Sequence, residues 1–201
     1  MKPIGSIKEA LKKSENYKSY RNSIQNLFNE GKTTGENQSE AYLHYTELNL
    51  QRTKRWDKIG KINPEAVSKI SEINTRQIWL VITEAWCGDA GHALPFINKL
   101  AELNPKIDLQ IVLRDENEEL MNNFLTNGGK SIPKLISYAP EDQKVLFTWG
   151  PRPDEAMQMV LKEKTTKGKL DSKFIEQLQK WFNKDKGNQT VKDIVDLVSK
   201  T

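Results

Sequence analysis

The feature that most constrains the fold is a change of hydrophobic period near Arg76. Before this residue, apolar side chains recur every three or four positions among polar ones, which is typical of amphipathic helices. Directly after it comes a continuous apolar run, IWLVIT at 78–83, of the kind that forms a buried central strand. The pattern therefore predicts a helical N-terminal region followed by a sheet domain that begins at this strand.

The segments after this first strand alternate between the two periods. Further strands are predicted at 107–113, 133–139 and 144–149, and helices at 91–104, 116–129, 153–164, 172–184 and 190–199. A helical crossover joins the first two strands, which are therefore expected to lie parallel, whereas the last two form a hairpin. The order from residue 76 is β-α-β-α-β-β-α, and the predicted fold class is α/β.

The first 75 residues are predicted to be helical. A helix or helix pair covers 6–29, a longer helix runs from Ser39 to about Lys58, and a short one runs from Pro64 to about Ile73. Serine suits an N-cap and proline suits the first helical turn. We predict a chain in three parts: a helical extension over 1–75 packed on the core, a sheet domain over 76–164, and C-terminal helices over 165–201.

Composition narrows the classes of function. Of 201 residues, 29% are charged and 36% are hydrophobic, which is the balance of a polar globular chain. Basic residues exceed acidic ones by four but are scattered among acids, so no nucleic-acid partner is expected. No segment has the roughly 20 apolar residues of a membrane-spanning helix, so no membrane partner is expected.

A single cysteine and the lack of an apolar signal segment favour a reducing, cytoplasmic location. The oligomeric state is left open.

The candidate site lies in EAWCGDAGH, residues 84–92, directly after the first strand. Cys87 is placed at the start of the next helix, where unpaired backbone N–H groups favour a thiolate. A free cysteine has a pKa of about 8.5, and helix N-termini lower it. Asp89, two residues on, repels a thiolate, so the direction of the net pKa shift stays open.

Two landmarks carry a resemblance to a known family. Trp86-Cys87-Gly88 follows the first strand, and Ser131-Ile132-Pro133 begins the third. The chain resembles the thioredoxin-like superfamily, and most closely a bacterial group of uncharacterised members with a Trp-Cys-Gly-Asp site that lacks the second cysteine. The segments similar to that group are Trp86–Asp89, Arg114–Asn117, Asn127–Lys134 and Trp149–Pro153. The resemblance implies a thioredoxin fold, a central mixed sheet flanked by helices, with added helices at both ends.

The resemblance also implies roles for site residues. Cys87 and Pro133 would be the catalytic pair, with a cis peptide bond before the proline and the ring against the thiol. The expected substrate-binding residues are Trp86, Gly88, Asp89 and Ile132, and the candidate modulators of the thiol pKa are His92 and Glu84. A helix-surface histidine is the simpler interpretation of His92, and strand alternation would direct Glu84 to the opposite face from the thiol. No metal and no bound cofactor are expected.

Ala90 stands where the family has its second cysteine, and Val81 where it has its buried acid. Three hypotheses follow. The first is thiol–disulfide exchange by a monothiol mechanism, in which external glutathione or another small thiol resolves a mixed disulfide with Cys87. Its partner would be a disulfide-containing or glutathionylated protein or a small thiol. The second is a redox-inactive binding module, and the third is a single-cysteine peroxide sensor. The first is favoured, while enzymatic activity is left open.

Three further segments have simpler interpretations. Asp115 or Asn117 is expected to cap the helix that follows the second strand. Lys130 would either give the site a positively charged rim suited to anionic partners or be an ordinary solvated lysine in a loop. The prolines of Trp149–Pro153 would end the edge strand, with Arg152 reaching an acid.

Overall fold

Helices occupy most of the first 75 residues, as the hydrophobic spacing predicts. The structure is a computed structural model and describes residues 3–201. Its N-terminal helices are α1 (Pro3–Leu11), α2 (Tyr17–Asn29), α3 (Glu40–Ile59) and α4 (Pro64–Ser71). Asn16 and Asn63 cap α2 and α4 with side-chain oxygens that accept backbone N–H bonds. Ser39 occupies the predicted N-cap position of α3, although its side chain makes no cap hydrogen bond.

The sheet contains four strands in the described part of the chain. They are β1 (Gln77–Thr83), β2 (Ile107–Leu113), β3 (Lys134–Ala139) and β4 (Lys144–Trp149), arranged in the order β2-β1-β3-β4. The β1 and β2 strands are parallel, whereas β3 is antiparallel to both β1 and β4. The predicted crossover and hairpin are therefore confirmed, and the sheet is mixed. Its first strand lies at the centre, which explains the apolar run at 78–83.

Five helices complete the described chain. They are α5 (Gly88–Glu102), α6 (Glu118–Asn123), α7 (Asp154–Lys167), α8 (Ser172–Asp185) and α9 (Asn188–Val198). Helices at both ends of the chain flank the mixed sheet, and the predicted α/β class is confirmed.

The helix predicted over 116–129 is much shorter than expected. It ends at Asn123, and Phe124 has already left helical backbone angles. Asn127 and Gly128 both have positive φ and join Thr126 to Gly129 by a pair of backbone hydrogen bonds. Such a two-residue turn is the usual conformation of an Asn-Gly pair, and it stops the helix before the glycines can cap it.

A single apolar cluster joins the sheet to helices from both ends of the chain. Trp79 of β1 is fully buried, and it shares this cluster with Ile7 and Trp56 before the sheet and Ile194 after it. Each such side chain contributes about 1.5–3 kcal/mol by burial. The linker at Glu15 also covers the sheet edge, through two backbone hydrogen bonds to Ile111 of 2.9 and 2.8 Å. The boundaries at residues 75 and 164 stay predictions.

The α7 and α8 helices have a small apolar cluster of their own. Its buried members are Ala156, Val160, Phe174, Leu178 and Phe182. The helix pair therefore has its own small core, and it lies beside the N-terminus of α5, where the candidate site is located.

Candidate functional site at Cys87

Cys87 occupies the N-cap position of α5, immediately beyond the C-terminal end of β1. The residue is 6% exposed, and Sγ lies 3.3 Å from the carbonyl oxygen of Ile132, to which the thiol donates a hydrogen bond. The Ile132–Pro133 peptide bond is cis, as predicted. The fold thus brings together the two segments that carry the sequence resemblance.

The thiol of Cys87 is protonated at neutral pH. Burial and, to a smaller extent, the nearby carboxylate of Asp89 raise its pKa to about 12. The backbone N–H groups of Ala90 and Asp89 and the charge of Arg152 act in the other direction but are outweighed. The helix terminus favours the anion as expected, yet the cost of removing a charged sulfur from water is larger here.

Asp89 and Arg152 form an ion pair beside the thiol. The distance between Oδ2 of Asp89 and Nη2 of Arg152 is 2.6 Å, and the aspartate side chain is 11% exposed. Burial raises the pKa of Asp89, while Arg152 and Arg52 lower it. The segment 149–153 thus ends the edge strand and also places a guanidinium at the site. The sequence predicted that Arg152 would reach an acidic residue, and the structure identifies that residue as Asp89.

A left-handed glycine allows this segment to approach the cis-proline loop. Gly150 has a φ of +105°, and a Cβ at this position would overlap the carbonyl oxygen of Pro133. The Gly150–Pro151 bond is a second cis peptide, which the sequence analysis did not anticipate. Arg152 follows Gly150 by two residues, and the close approach of these loops places its side chain over the start of α5.

Glu84 is buried on the inner side of the site. It follows the last residue of β1, so strand alternation does not determine its direction, and the argument that separated it from the thiol fails. Its Oε1 accepts a hydrogen bond of 2.9 Å from the N–H of Asp115, and the nearby side chain of Thr34 also favours the ionised carboxylate. Glu84, Tyr20 and Cys87 border one cavity of about 20 Å³. Burial raises the pKa of Glu84.

His92 is buried rather than on the helix surface. Its Nδ1 accepts a hydrogen bond of 3.0 Å from the indole N–H of Trp56, and its Nε2 lies 2.9 Å from Oε1 of Gln179. The ring stacks on Phe182 with centroids 4.5 Å apart. Burial lowers its pKa to about 4, so the ring is uncharged at neutral pH and cannot supply the positive charge considered for Cys87. The surface expectation is wrong because α3 and α8 cover this face of α5.

Asn117 does not cap α6 in the expected way. It stands at the N-cap position, but its side-chain amide donates to the carbonyl of Leu113 instead of accepting a helix N–H. Asp115 pairs with Arg114 at 2.8 Å. The guanidinium of Arg114 lies 5.0 Å from the centroid of the Trp86 ring, a cation–π contact.

The site opens into a cavity of about 550 Å³, which we call the Cys87 pocket. It is lined by Trp86–Asp89, the loop Lys130–Ile132, Pro151 and Arg152, together with Tyr42, Tyr45, Leu48 and Arg52 of α3, Arg114, and Val160, Lys164, Leu170, Ile175 and Gln179 of the α7–α8 region. All four residues that were expected to bind substrate therefore line one pocket. Pro133 adjoins it, while Glu84 and His92 lie behind it.

Sequence reasoning missed the residues that line this pocket from outside the core motifs. Tyr42 packs on Trp86 with ring centroids 4.9 Å apart, and Arg52 extends from the same helix. The aromatic face of α3 was visible in the sequence, which left open whether it packs on the core, covers the site or forms a dimer surface. Nothing in the sequence indicated that Ile175 and Lys164 would line a pocket, because they belong to helices with ordinary amphipathic patterns.

Neither a membrane span nor a metal cluster is found among residues 3–201. No helix there is both long enough and apolar enough to cross a bilayer. Within the same residues, no three His, Cys, Asp or Glu side chains gather in a way that would hold a metal ion.

The mixed sheet, the cysteine at a helix start and the facing cis-proline together define a protein of the thioredoxin-like class. The family described as Thioredoxin matches residues 35–169, about two thirds of the chain, and this protein belongs to that family. The match begins within the predicted N-terminal extension and includes α3.

Solved structures agree on the fold. An HIV epitope scaffold is 15% identical with a TM-score of 0.58, and the alignment covers 93% of this chain and 99% of the scaffold. A protein of unknown function from Pseudomonas aeruginosa is 16% identical with a TM-score of 0.55, covering 86% and 95% of the two chains. No curated protein matches this chain. At these identities the similarity establishes the fold alone.

Proposed function

We propose that this thioredoxin-family protein is a binding module, in which the Cys87 pocket holds a ligand without turnover of the thiol. The observation that carries the proposal is a buried, protonated cysteine beside a preformed pocket. The pocket volume of about 550 Å³ is within the range of small-molecule sites. With a pKa of about 12, the thiol is overwhelmingly protonated at pH 7. Because the thiolate is the nucleophile, exchange chemistry would be very slow in this state.

Thiol–disulfide exchange by a monothiol mechanism is the second candidate. Cys87 lines the pocket, and the N–H groups of Asp89 and Ala90 and the charge of Arg152 all favour its anion. In this mechanism the Cys87 thiolate attacks one sulfur of a disulfide and releases the other as a thiolate. An external thiol such as glutathione then attacks the mixed disulfide and releases Cys87. The partner would be a disulfide-containing or glutathionylated protein or a small thiol.

Peroxide sensing would require the same ionised sulfur. Oxidation to a sulfenic acid starts from the thiolate, so a thiol with a pKa of about 12 is a poor sensor. A measurement of thiolate reactivity therefore separates the binding proposal from both redox hypotheses.

The test is the rate of Cys87 alkylation by iodoacetamide, followed by intact mass between pH 7 and 9.5. The folded protein is compared with the same chain unfolded in urea, and Cys87→Ser reports labelling at other residues. We expect the folded rate to stay below about one-hundredth of the unfolded rate, since the pKa difference exceeds two. We also expect no mixed disulfide after incubation with glutathione disulfide. Fast labelling with a midpoint below about 8.5, together with a glutathione adduct, would replace the binding proposal with monothiol exchange.

A further inference from the structure

The Cys87 pocket carries more positive than negative charge. Its lining includes five cationic side chains, namely Arg52, Arg114, Lys130, Arg152 and Lys164, and the only carboxylate in that lining is Asp89. Arg152 already holds this carboxylate at 2.6 Å. Arg114 and Lys130 have acidic neighbours outside the pocket, Asp115 and Glu118, at 2.8 and 2.5 Å. The two remaining cations, Arg52 on α3 and Lys164 on α7, form no ion pair among the described residues.

Of these two cations, Arg52 is the less exposed. Its guanidinium is partly buried and donates to the amide oxygen of Asn49 at 2.8 Å, which is a neutral partner. The carboxylate that acts on its charge is that of Asp89, so two guanidinium groups share one anion beside the thiol. Arg52 also lies over Gly88, where an added Cβ would be 3.4 Å from its Nη1. Partly buried guanidinium groups bind carboxylates and phosphates strongly, because their hydrogen bonds are charge-assisted and often bidentate.

Most of the remaining pocket lining is apolar. Tyr42 and Trp86 pack against each other, and Ile132 continues this surface towards the proline loop. Tyr45 and Ile175 are 47% and 48% exposed, and both line the pocket. Large apolar side chains left in solvent around a concave site are typical of ligand-binding surfaces.

We propose that the Cys87 pocket binds a small amphipathic anion, whose carboxylate or phosphate contacts Arg52 and whose aromatic or aliphatic body packs on Trp86 and its neighbours. This inference rests on the binding function proposed above, and it names the chemical class of the ligand. Charge complementarity selects the anionic group, and the apolar lining selects the body. The volume limits the ligand to the size of a drug-like molecule.

The experiment compares three probes that share one naphthalene body, by isothermal titration calorimetry with the full chain. The probes are 2-naphthoate, 2-naphthyl phosphate and the neutral 2-naphthalenemethanol. We expect at least one anion to bind about tenfold or more tightly than the alcohol, which corresponds to about 1.4 kcal/mol. The better of the two anions identifies carboxylate or phosphate as the preferred group.

Variants locate the charge that is responsible. Arg52→Gln is expected to weaken the preferred anion about tenfold and to leave the alcohol within about twofold. Lys164→Gln changes an exposed pocket residue and is expected to weaken the anion about threefold. Lys54→Gln removes the same charge from an exposed position of α3 outside the pocket and is expected to change nothing. Circular dichroism establishes that each variant is folded.

Equal affinity for all three probes would overturn the inference, as would an anion preference that survives both pocket variants. This failure is distinguishable from failure of the binding function. If alkylation of Cys87 stays slow while the alcohol binds as well as the anions, the ligand class is wrong and the binding function stands. If Cys87 alkylates quickly and forms a glutathione adduct, the binding function is wrong whatever the probes show.

Discussion

Asp89 is held by Arg152 at 2.6 Å, and this pair lies between the start of α5 and the loop that follows β4. The carboxylate raises the pKa of Cys87 and the guanidinium lowers it. The pair therefore has two consequences, since it joins two segments that are distant in sequence and it sets the charge next to the thiol. Substitution of either partner should change the reactivity of Cys87 in a known direction.

Asp89→Asn should make Cys87 more reactive. Removal of the carboxylate leaves Arg152 unopposed, and the thiol pKa should fall by about one pH unit. The rate of alkylation at pH 8.5 should rise about tenfold, as followed by intact mass. Arg152→Gln should slow the reaction, and Asp196→Asn, at an exposed position on α9, is the matched control. A rate that is unchanged in both site variants would show that the ion pair does not act on the thiol.

The buried His92 should make the protein less stable in acid. Its folded pKa of about 4 lies below the unfolded value of 6.5, so the neutral ring stabilises the fold. This contribution is complete above about pH 6.5 and is lost as the pH falls towards 4, in total about 3 kcal/mol. Urea unfolding at pH 7, 6, 5 and 4 measures it.

His92→Gln should flatten this pH dependence, because the variant has no ring to protonate. The chain offers a matched control in His44, its other histidine, which is exposed on α3. His44→Gln should retain the wild-type slope between pH 6.5 and 4. Identical slopes in all three proteins would contradict the assignment of His92 as the buried titrating group.

Gly187 should tolerate alanine less well than Gly168. Both glycines adopt positive φ at helix ends, with values of 81° and 72°. A Cβ at 187 would overlap the ring of Phe96, whereas nothing lies within 4 Å at 168. We expect Gly168→Ala to cost about 1 kcal/mol from backbone conformation and Gly187→Ala about 1–3 kcal/mol more from overpacking. Equal losses in urea unfolding would mean that Phe96 moves aside freely.

Ala90→Cys should create an internal disulfide with Cys87. The two positions are the N-cap and third residue of α5, and Ala90 stands where the family that the sequence resembles has its second cysteine. A disulfide requires the two Cβ atoms to come within about 3.5–4.5 Å of each other. Mild oxidation should remove two hydrogens from the intact mass and block alkylation, and a reductant should reverse both effects. The double variant Cys87→Ser/Ala90→Cys has one cysteine and should keep its free thiol. Two free thiols after oxidation would show that the helix start does not have the geometry the family resemblance implies.

Much of the fold was predictable because its signals are local. The spacing of apolar residues predicted both end residues of β2 and of β4 correctly. The helical crossover between β1 and β2 implied that these two strands are parallel. The error at 116–129 has a local origin too, since the turn preference of Asn127-Gly128 outweighed the helical pattern. Cys87 and Pro133 were found because short motifs mark them, and the predicted cis bond is present.

The sequence by itself determined the α/β class, the strand order along the chain and the position of one cysteine at a helix start, while the cis-proline facing it was implied by the family resemblance. Only the tertiary structure decided the state of that cysteine, because the pKa depends on burial and on Arg152, which folding brings next to it. The same is true of His92, which α3 and α8 enclose. The cationic pocket also arises in this way, since segments more than 100 residues apart line it, and no local pattern specifies which of their faces will meet.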